Sequence, residues 1–241
     1  MASPLRAVLL DLDGTLIDSA GLIVASFRHA FREVLGEDLA PEEVIRHLGR
    51  SLNDQIRIMR PHLDTDQARR LMSVYLEHNH RTHDAGGLQP VPGSVPALER
   101  LQAQGLELAI VTSKREAMAW RGLELTGLDR FFRAPGRVVA YEATRRHKPH
   151  PEPLWRALAT LGLEPGEAVY VGDSPFDMAA ARAAGIPALG FRYNTFTEAD
   201  LQAAGALTVA GSWPAVVAWV DAARAGDGRE EAATWDSTEQ P

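Results

Sequence analysis

The chain contains no cysteine, which removes disulfides, thiolate metal sites and thiol nucleophiles together and suits a reducing, cytoplasmic setting. Lysine is almost as scarce. Of the 25 Lys and Arg residues only Lys114 and Lys148 are lysines, so any step that needs an ammonium group has two candidates. No apolar run reaches the roughly 20 residues that cross a bilayer. Asp11 and Asp13 also interrupt the apolar N-terminal stretch before a signal-peptide core could form. A net charge of −7 argues against a nucleic-acid partner held by a broad basic surface. What remains is an ordinary globular composition, 45% apolar and 24% charged over 241 residues, enough to enclose a real core in one or two units.

Short apolar runs at Leu5–Leu10, Leu106–Val111 and Ala168–Val171, with a weaker fourth at Pro187–Phe191, read as buried strands of a parallel sheet. Helical patterns separate them. One is capped by Ser94 and stopped by Gly105, one starts at Pro151 and Pro153, and one covers Asp177–Ala184 and closes at Gly185. Strands alternating with helices predict an α/β fold with a Rossmann-like, doubly wound parallel sheet. Residues 18–87 break this rhythm. Ala20, Ile23, Phe27, Ala30, Phe31 and Val34 recur at helical steps, Pro41 and Ser51 begin two more helices, and Thr65 to about Tyr75 supplies a fourth. The predicted division is a core of 1–17 and 88–225, an all-helical insert at 18–87, and a solvated or disordered acidic tail at 226–241 with five acids and one Arg.

Asp11-Leu12-Asp13-Gly14-Thr15 is the sharpest local feature. Two carboxylates just past a strand project from the C-terminal edge of the sheet, where open α/β folds bind ligands. Crowded carboxylates repel, and a divalent cation with oxygen ligands relieves the repulsion. Gly172-Asp173-Ser174-Pro175-Phe176-Asp177 follows a second strand. With neighbouring strands ~4.8 Å apart, Asp11, Asp13 and Asp173 can converge on one ion. Thr112-Ser113 ends a third strand, and Lys148 sits in a loop with Arg145, Arg146 and His147, positioned to offset carboxylate and phosphate charge.

Taken in order, Asp11-Leu12-Asp13-Gly14-Thr15-Leu16, Val111-Thr112, Lys148-Pro149 and Gly172-Asp173 with Asp177 resemble the haloacid dehalogenase superfamily over about residues 5–192. The helical insert after the first motif is similar to the cap of its phosphoglycolate phosphatase-like branch, and Leu48-Gly49-Arg50-Ser51-Leu52 resembles the cap loop that turns toward substrate. The resemblance implies Asp11 as the nucleophile that forms an aspartyl-phosphate, and Asp13 as the acid and base on the leaving oxygen and the water. It implies that Gly14 and Ser113 (through backbone amides), Thr112, Lys148 and Arg50 contact phosphate. Mg²⁺ would sit on Asp11, the Asp13 carbonyl and Asp173, with Asp177 behind them. Asp13 is the acid that the dehalogenases lack, and residues 18–87 hold no lysine, which sets aside carbon–halogen and phosphonate cleavage.

The expected function is a Mg²⁺-dependent phosphatase acting on a small phosphorylated metabolite, with phosphoglycolate and pyrophosphate as leading substrates. The rivals are a sugar phosphomutase of the β-phosphoglucomutase type and, further off, a non-catalytic ligand-binding relative. Six of the eight histidines fall in the insert. His78 and His80 point ~200° apart on a helix, so a zinc site is not expected, and His83 is read as solvent-facing or capping.

Overall fold

The computed structural model describes residues 4–193 and 195–226; the expected acidic tail lies outside them apart from Gly226. In chain order the elements are β1 (Ala7–Leu10), β2 (Ile17–Asp18), α1 (Ala20–Leu35), α2 (Pro41–Ile45), α3 (Leu52–Met59), α4 (Thr65–Thr82) and β3 (Gln89–Pro90). There follow α5 (Ser94–Ala103), β4 (Glu107–Val111), α6 (Glu116–Thr126), β5 (Val138–Val139), α7 (Glu152–Leu161) and β6 (Ala168–Gly172). The chain closes with α8 (Pro175–Ala184), β7 (Ala188–Phe191), α9 (Glu198–Ala204), β8 (Thr208–Ala210) and α10 (Trp213–Ala225).

Six strands form one parallel sheet in the order β5-β4-β1-β6-β7-β8. Both faces of β1 are buried, which is why its sequence reads as an unbroken apolar run rather than an alternation. Val8 and Leu10 point to a layer made by α5, α6 and α10, with Leu98, Leu123, Trp213 and Val216 in its core. Ala7 and Leu9 point the other way, to α7, α8 and α9 through Leu154, Leu158, Met178 and Leu201. β1 lies between β4 and β6, so the C-terminal ends of these three strands meet at one place on the sheet edge. The four predicted strands are present, whereas β5 and β8 are only two and three residues long and leave no periodic signal.

The helices α1–α4 gather a separate apolar cluster around Phe27, Phe31, Leu71 and Tyr75, in which the Phe27 and Tyr75 rings lie 4.6 Å apart. A two-stranded antiparallel ribbon, β2 against β3, joins this bundle to the sheet. The expectation of no strand from Asp18 onward therefore fails by one residue, because Asp18 pairs with Gln89. Helix α4 runs to Thr82 instead of about Tyr75; its buried side continues through the polar Asn79 and on to His83, which an apolar pattern does not register. Ser94 is also not a cap. Gly93 occupies that position with φ +85°, and the Ser94 hydroxyl is buried without a hydrogen-bond partner among the described residues.

Candidate active site

Asp11 follows β1 directly, and its backbone N–H donates to the Val171 carbonyl at 2.9 Å, which locks the residue against β6. Asp173 follows β6, and Thr112 follows β4. All three are buried. The serine of Ser174-Pro175-Phe176-Asp177 caps α8, with Asp177 returning a capping-box bond from its third position. That box fixes Asp177 Oδ2 on Ser174, by N–H at 3.0 Å and by hydroxyl at 2.5 Å. The other oxygen, Oδ1, accepts from Lys148 Nζ at 2.6 Å and from the Tyr170 hydroxyl at 2.8 Å. Asp177 is thus a helix cap and a clamp on Lys148 at once.

Lys148 reaches the same place from the loop before α7. Its ammonium donates to Asp11 Oδ1 at 2.7 Å and to the Val111 carbonyl at 3.3 Å. Burial disfavours its charge, but Asp11 and Asp177 outweigh that and hold the ammonium well above its ordinary range. The same burial, countered by Lys148 and reinforced by Asp177, pushes the Asp11 carboxyl up to about 7. Asp173 is raised well above the usual carboxylate range by burial and by the charges of Asp11 and Asp177.

Carboxylate oxygens of Asp11, Asp173 and Asp177 lie within 4.8 Å of one another. Lys148 is the one cation among them, so the fully ionised cluster carries two uncompensated negative charges in a buried site. With both Asp177 oxygens committed, Asp11 and Asp173 are left as carboxylate donors. A set of hard oxygens with a charge deficit of two suits Mg²⁺ better than a softer ion. Gly14 makes room for this arrangement: its φ is +82°, and a Cβ there would collide with the Asp173 carboxylate.

The Asp13 carboxylate is engaged outside that group of three. Its Oδ1 accepts from Lys114 Nζ at 2.7 Å and from the Ser19 hydroxyl at 2.5 Å. Burial alone would raise its carboxyl, but Lys114 and Ser19 together hold it below the ordinary value. The side chain is therefore absent from the three-carboxylate cluster, which leaves only its carbonyl for the expected metal role. A second expectation needs correction. The Gly14 N–H donates to the Ile17 carbonyl at 2.8 Å, so it is spent within the turn and cannot hold phosphate without breaking that bond. The Ser113 N–H has no acceptor among the described residues.

The insert closes over these groups. Ser113 Oγ donates to the Gly49 carbonyl at 2.8 Å, and Gly49, at φ +94°, packs so closely on Ser174 that a Cβ would clash with its hydroxyl. Arg50 lies 4.1 Å over the Phe176 ring, with its Nε buried and unpartnered among the described residues. Together these surfaces enclose a cavity of about 290 Å³ whose lining includes Asp11, Asp13, Thr112, Asp173 and Arg50. The structure thus brings every sequence-selected residue to one end of the sheet. Sequence reasoning missed Ser19, Tyr170 and the pairing of Lys114 with Asp13. It also misjudged His83, which is fully buried with both ring nitrogens unpartnered among the described residues; burial and the Lys114 charge push its pKa down to about 4.

A Rossmann-like sheet, an Asp-x-Asp turn after its central strand, and a lysine clamped between two aspartates define a hydrolase class. The chain matches the haloacid dehalogenase-like hydrolase family over residues 8–191 and belongs to it. Pyrophosphatase PpaX of Bacillus pumilus is 37% identical over 192 residues, which cover 80% of this chain and 85% of that enzyme. Its namesake from Halalkalibacterium halodurans is 36% identical over 182 residues, 76% of this chain and 81% of the other. Among solved structures, a hydrolase from Pseudomonas syringae superimposes with a TM-score of 0.80 at 26% identity, covering 90% of this chain and 98% of its own. No helix among the described residues is long and apolar enough to cross a membrane.

Proposed function

We propose that the protein is a Mg²⁺-dependent phosphohydrolase that transfers the phosphoryl group of a small metabolite to Asp11 and then to water. The observation that carries this reading is the buried Asp11–Lys148–Asp177 contact beside Asp173, a carboxylate held in place by one ammonium next to a charge deficit. Lys148 engages Asp11 Oδ1, which leaves Oδ2 free of that bond to form the new O–P bond as the bond to the leaving oxygen breaks. Lys114 and Ser19 hold Asp13 ionised in the free site; the negative charge of bound phosphate would raise it, so that it takes up a proton and passes it to the leaving oxygen. In the second step Asp13 removes a proton from water, whose oxygen attacks phosphorus; the bond to Asp11 breaks and inorganic phosphate leaves. Lys148, the Thr112 hydroxyl and the Ser113 N–H would hold the phosphoryl oxygens, with Arg50 at the rim.

Mg²⁺ would be held by Asp11, the Asp13 carbonyl and Asp173, and when bound it would neutralise charge on the transferred group. Residues 18–87 would act as a cap that excludes water during transfer and opens to admit it afterwards. The contact between Ser113 and Gly49 supports this reading because it links insert to core at the site itself. The test is phosphate release from p-nitrophenyl phosphate, pyrophosphate, 2-phosphoglycolate and β-glucose 1-phosphate, with Mg²⁺ and with chelator, beside Asp11→Asn. Mg²⁺-dependent release that vanishes in the variant is the expected result. Isomerised sugar phosphate without free phosphate, or release that survives in Asp11→Asn, would overturn it.

A further inference from the structure

The cavity has two chemically different ends. One is the carboxylate and lysine cluster of the sheet edge. The other is a wall built by one face of α4 and the start of α1. Met72, Tyr75, Leu76 and Asn79 are spaced as a single stripe along α4, and Ile23 meets them from α1. Met72 and Leu76 are only partly buried and line the cavity. The neutral amides on this side are partly committed: the Asn79 side chain donates to Ser26 Oγ at 3.2 Å, the Gln55 side chain donates to the Arg50 carbonyl at 2.9 Å, and Asn53 Oδ1 accepts from Arg57 Nε at 3.3 Å, while Gln55 Oε1 has no partner among the described residues.

Charge is missing from this wall. Arg50 is the one charged residue that the insert contributes to the cavity lining. It does not belong to the α1–α4 face. It follows Gly49, whose carbonyl is bonded to Ser113 of the core, and it stacks on Phe176 of α8, which places it at the phosphoryl end. Of the core's basic residues in the lining, Lys114 is paired with Asp13, and Arg115, half exposed at the start of α6, lies 3.7 Å from Glu142. A substrate with a second anion, such as the far phosphoryl of pyrophosphate or the carboxylate of phosphoglycolate, would thus set that charge against Met72 and Leu76. Losing water there without a counter-charge is costly. An apolar group gains from the same surface.

We infer that the site takes a phosphate monoester whose alcohol portion is apolar, with the α1–α4 wall as its leaving-group subsite. This rests on the phosphohydrolase reading above and narrows its substrate class away from pyrophosphate and phosphoglycolate. The carbon chain would lie on Ile23, Met72 and Leu76, and its phosphate would face Asp11.

The test uses primary alkyl phosphates from ethyl to pentyl, whose leaving alcohols are nearly equal in acidity, so that chain length changes contact and little else. Pyrophosphate and 2-phosphoglycolate are run beside them, all with Mg²⁺ and the full-length protein. The expected result is a rise in kcat/KM of roughly 4-fold per methylene, with pentyl phosphate preferred over both substrates that carry a second anionic group. In Leu76→Asn and Met72→Gln, checked for native-like thermal unfolding, the rise per methylene shrinks toward unity. A flat series, a preference for pyrophosphate or phosphoglycolate, or an unchanged slope in both variants would overturn the inference while leaving the phosphohydrolase reading intact. No phosphate release from any compound would overturn both.

Discussion

Lys114 Nζ stands 2.7 Å from Asp13 Oδ1, so each of the two lysines in this chain is spent on one member of the Asp11–Asp13 pair. Lys148 holds Asp11 at the same distance. The two carboxylates are thereby separated in environment: Asp11 sits within a crowded, metal-competent cluster and Asp13 sits in a neutral ion pair with Ser19 alongside. Two acids one residue apart can then take different parts in one reaction.

Lys114→Met should slow turnover by about 10–100-fold, because Asp13 loses the contact that orients it. The loss should be larger for an alkyl phosphate than for p-nitrophenyl phosphate, whose leaving group needs little help from an acid. Steady-state kcat on both compounds tests this; equal losses would argue that Lys114 only supports folding.

Asp11→Asn should reduce turnover by at least about 10³-fold and leave the protein folded. Lys148 keeps Asp177 as a partner at 2.6 Å, and the crowded cluster loses one negative charge. Thermal unfolding and phosphate release measured on the same preparation decide it. Unfolding of the variant at room temperature would contradict the account given for this cluster.

Lys148→Ala should cost about 3–5 kcal/mol of stability, the usual consequence of leaving buried charges without their partner. Here Asp11, Asp173 and Asp177 would face one another without an ammonium. Denaturant unfolding with and without Mg²⁺ should show the ion recovering part of the loss, since it binds only the folded cluster.

The Asp11 carboxyl rises from an ordinary 3.8 to about 7, through burial opposed by Lys148 and reinforced by Asp177. Between those values the native state binds more protons than the unfolded one, so stability falls as pH rises from about 4 to about 7. Metal-free protein should therefore lose thermal stability across that window, where the raised Asp173 adds to the fall and His83, held down to about 4, opposes part of it. Added Mg²⁺ should stabilise more at pH 8 than at pH 5, because it competes with the proton for the same oxygens. A flat metal-free profile, or a larger Mg²⁺ effect at pH 5, would contradict this.

Gly14→Ala should weaken Mg²⁺ binding more than it weakens folding. The added methyl meets the Asp173 carboxylate and a φ of +82°, so the cost falls on a proposed ion ligand. A higher half-saturating Mg²⁺ concentration in the activity assay, with a modest drop in Tm, is the expected pattern.

Much of the molecule is legible in the sequence, for reasons that are local. Unbroken apolar runs such as Leu5–Leu10 mark strands buried on both faces, and the acids that end them must lie at the sheet edge. Helical spacing from Ala20 to Val34 marks the insert, and the run from Asp177 to Ala184 with Gly185 marks a further helix, whose start at Pro175 under a Ser174 cap only the structure shows. What no local pattern carries is the set of partners. The order β5-β4-β1-β6-β7-β8 places Asp11 between residues about 100 and 160 positions away, and only that order sets Lys114 on Asp13, Tyr170 on Asp177 and Ser113 on Gly49. The same packing buries His83, which sequence reading leaves in solvent, and spends the Gly14 amide on its own turn. Residue type and spacing determined which chemistry the chain can perform. Strand order and the docking of α1–α4 decided which charges meet and how apolar the wall above them is, because hydrogen bonds and desolvation depend on distances that only the folded chain sets.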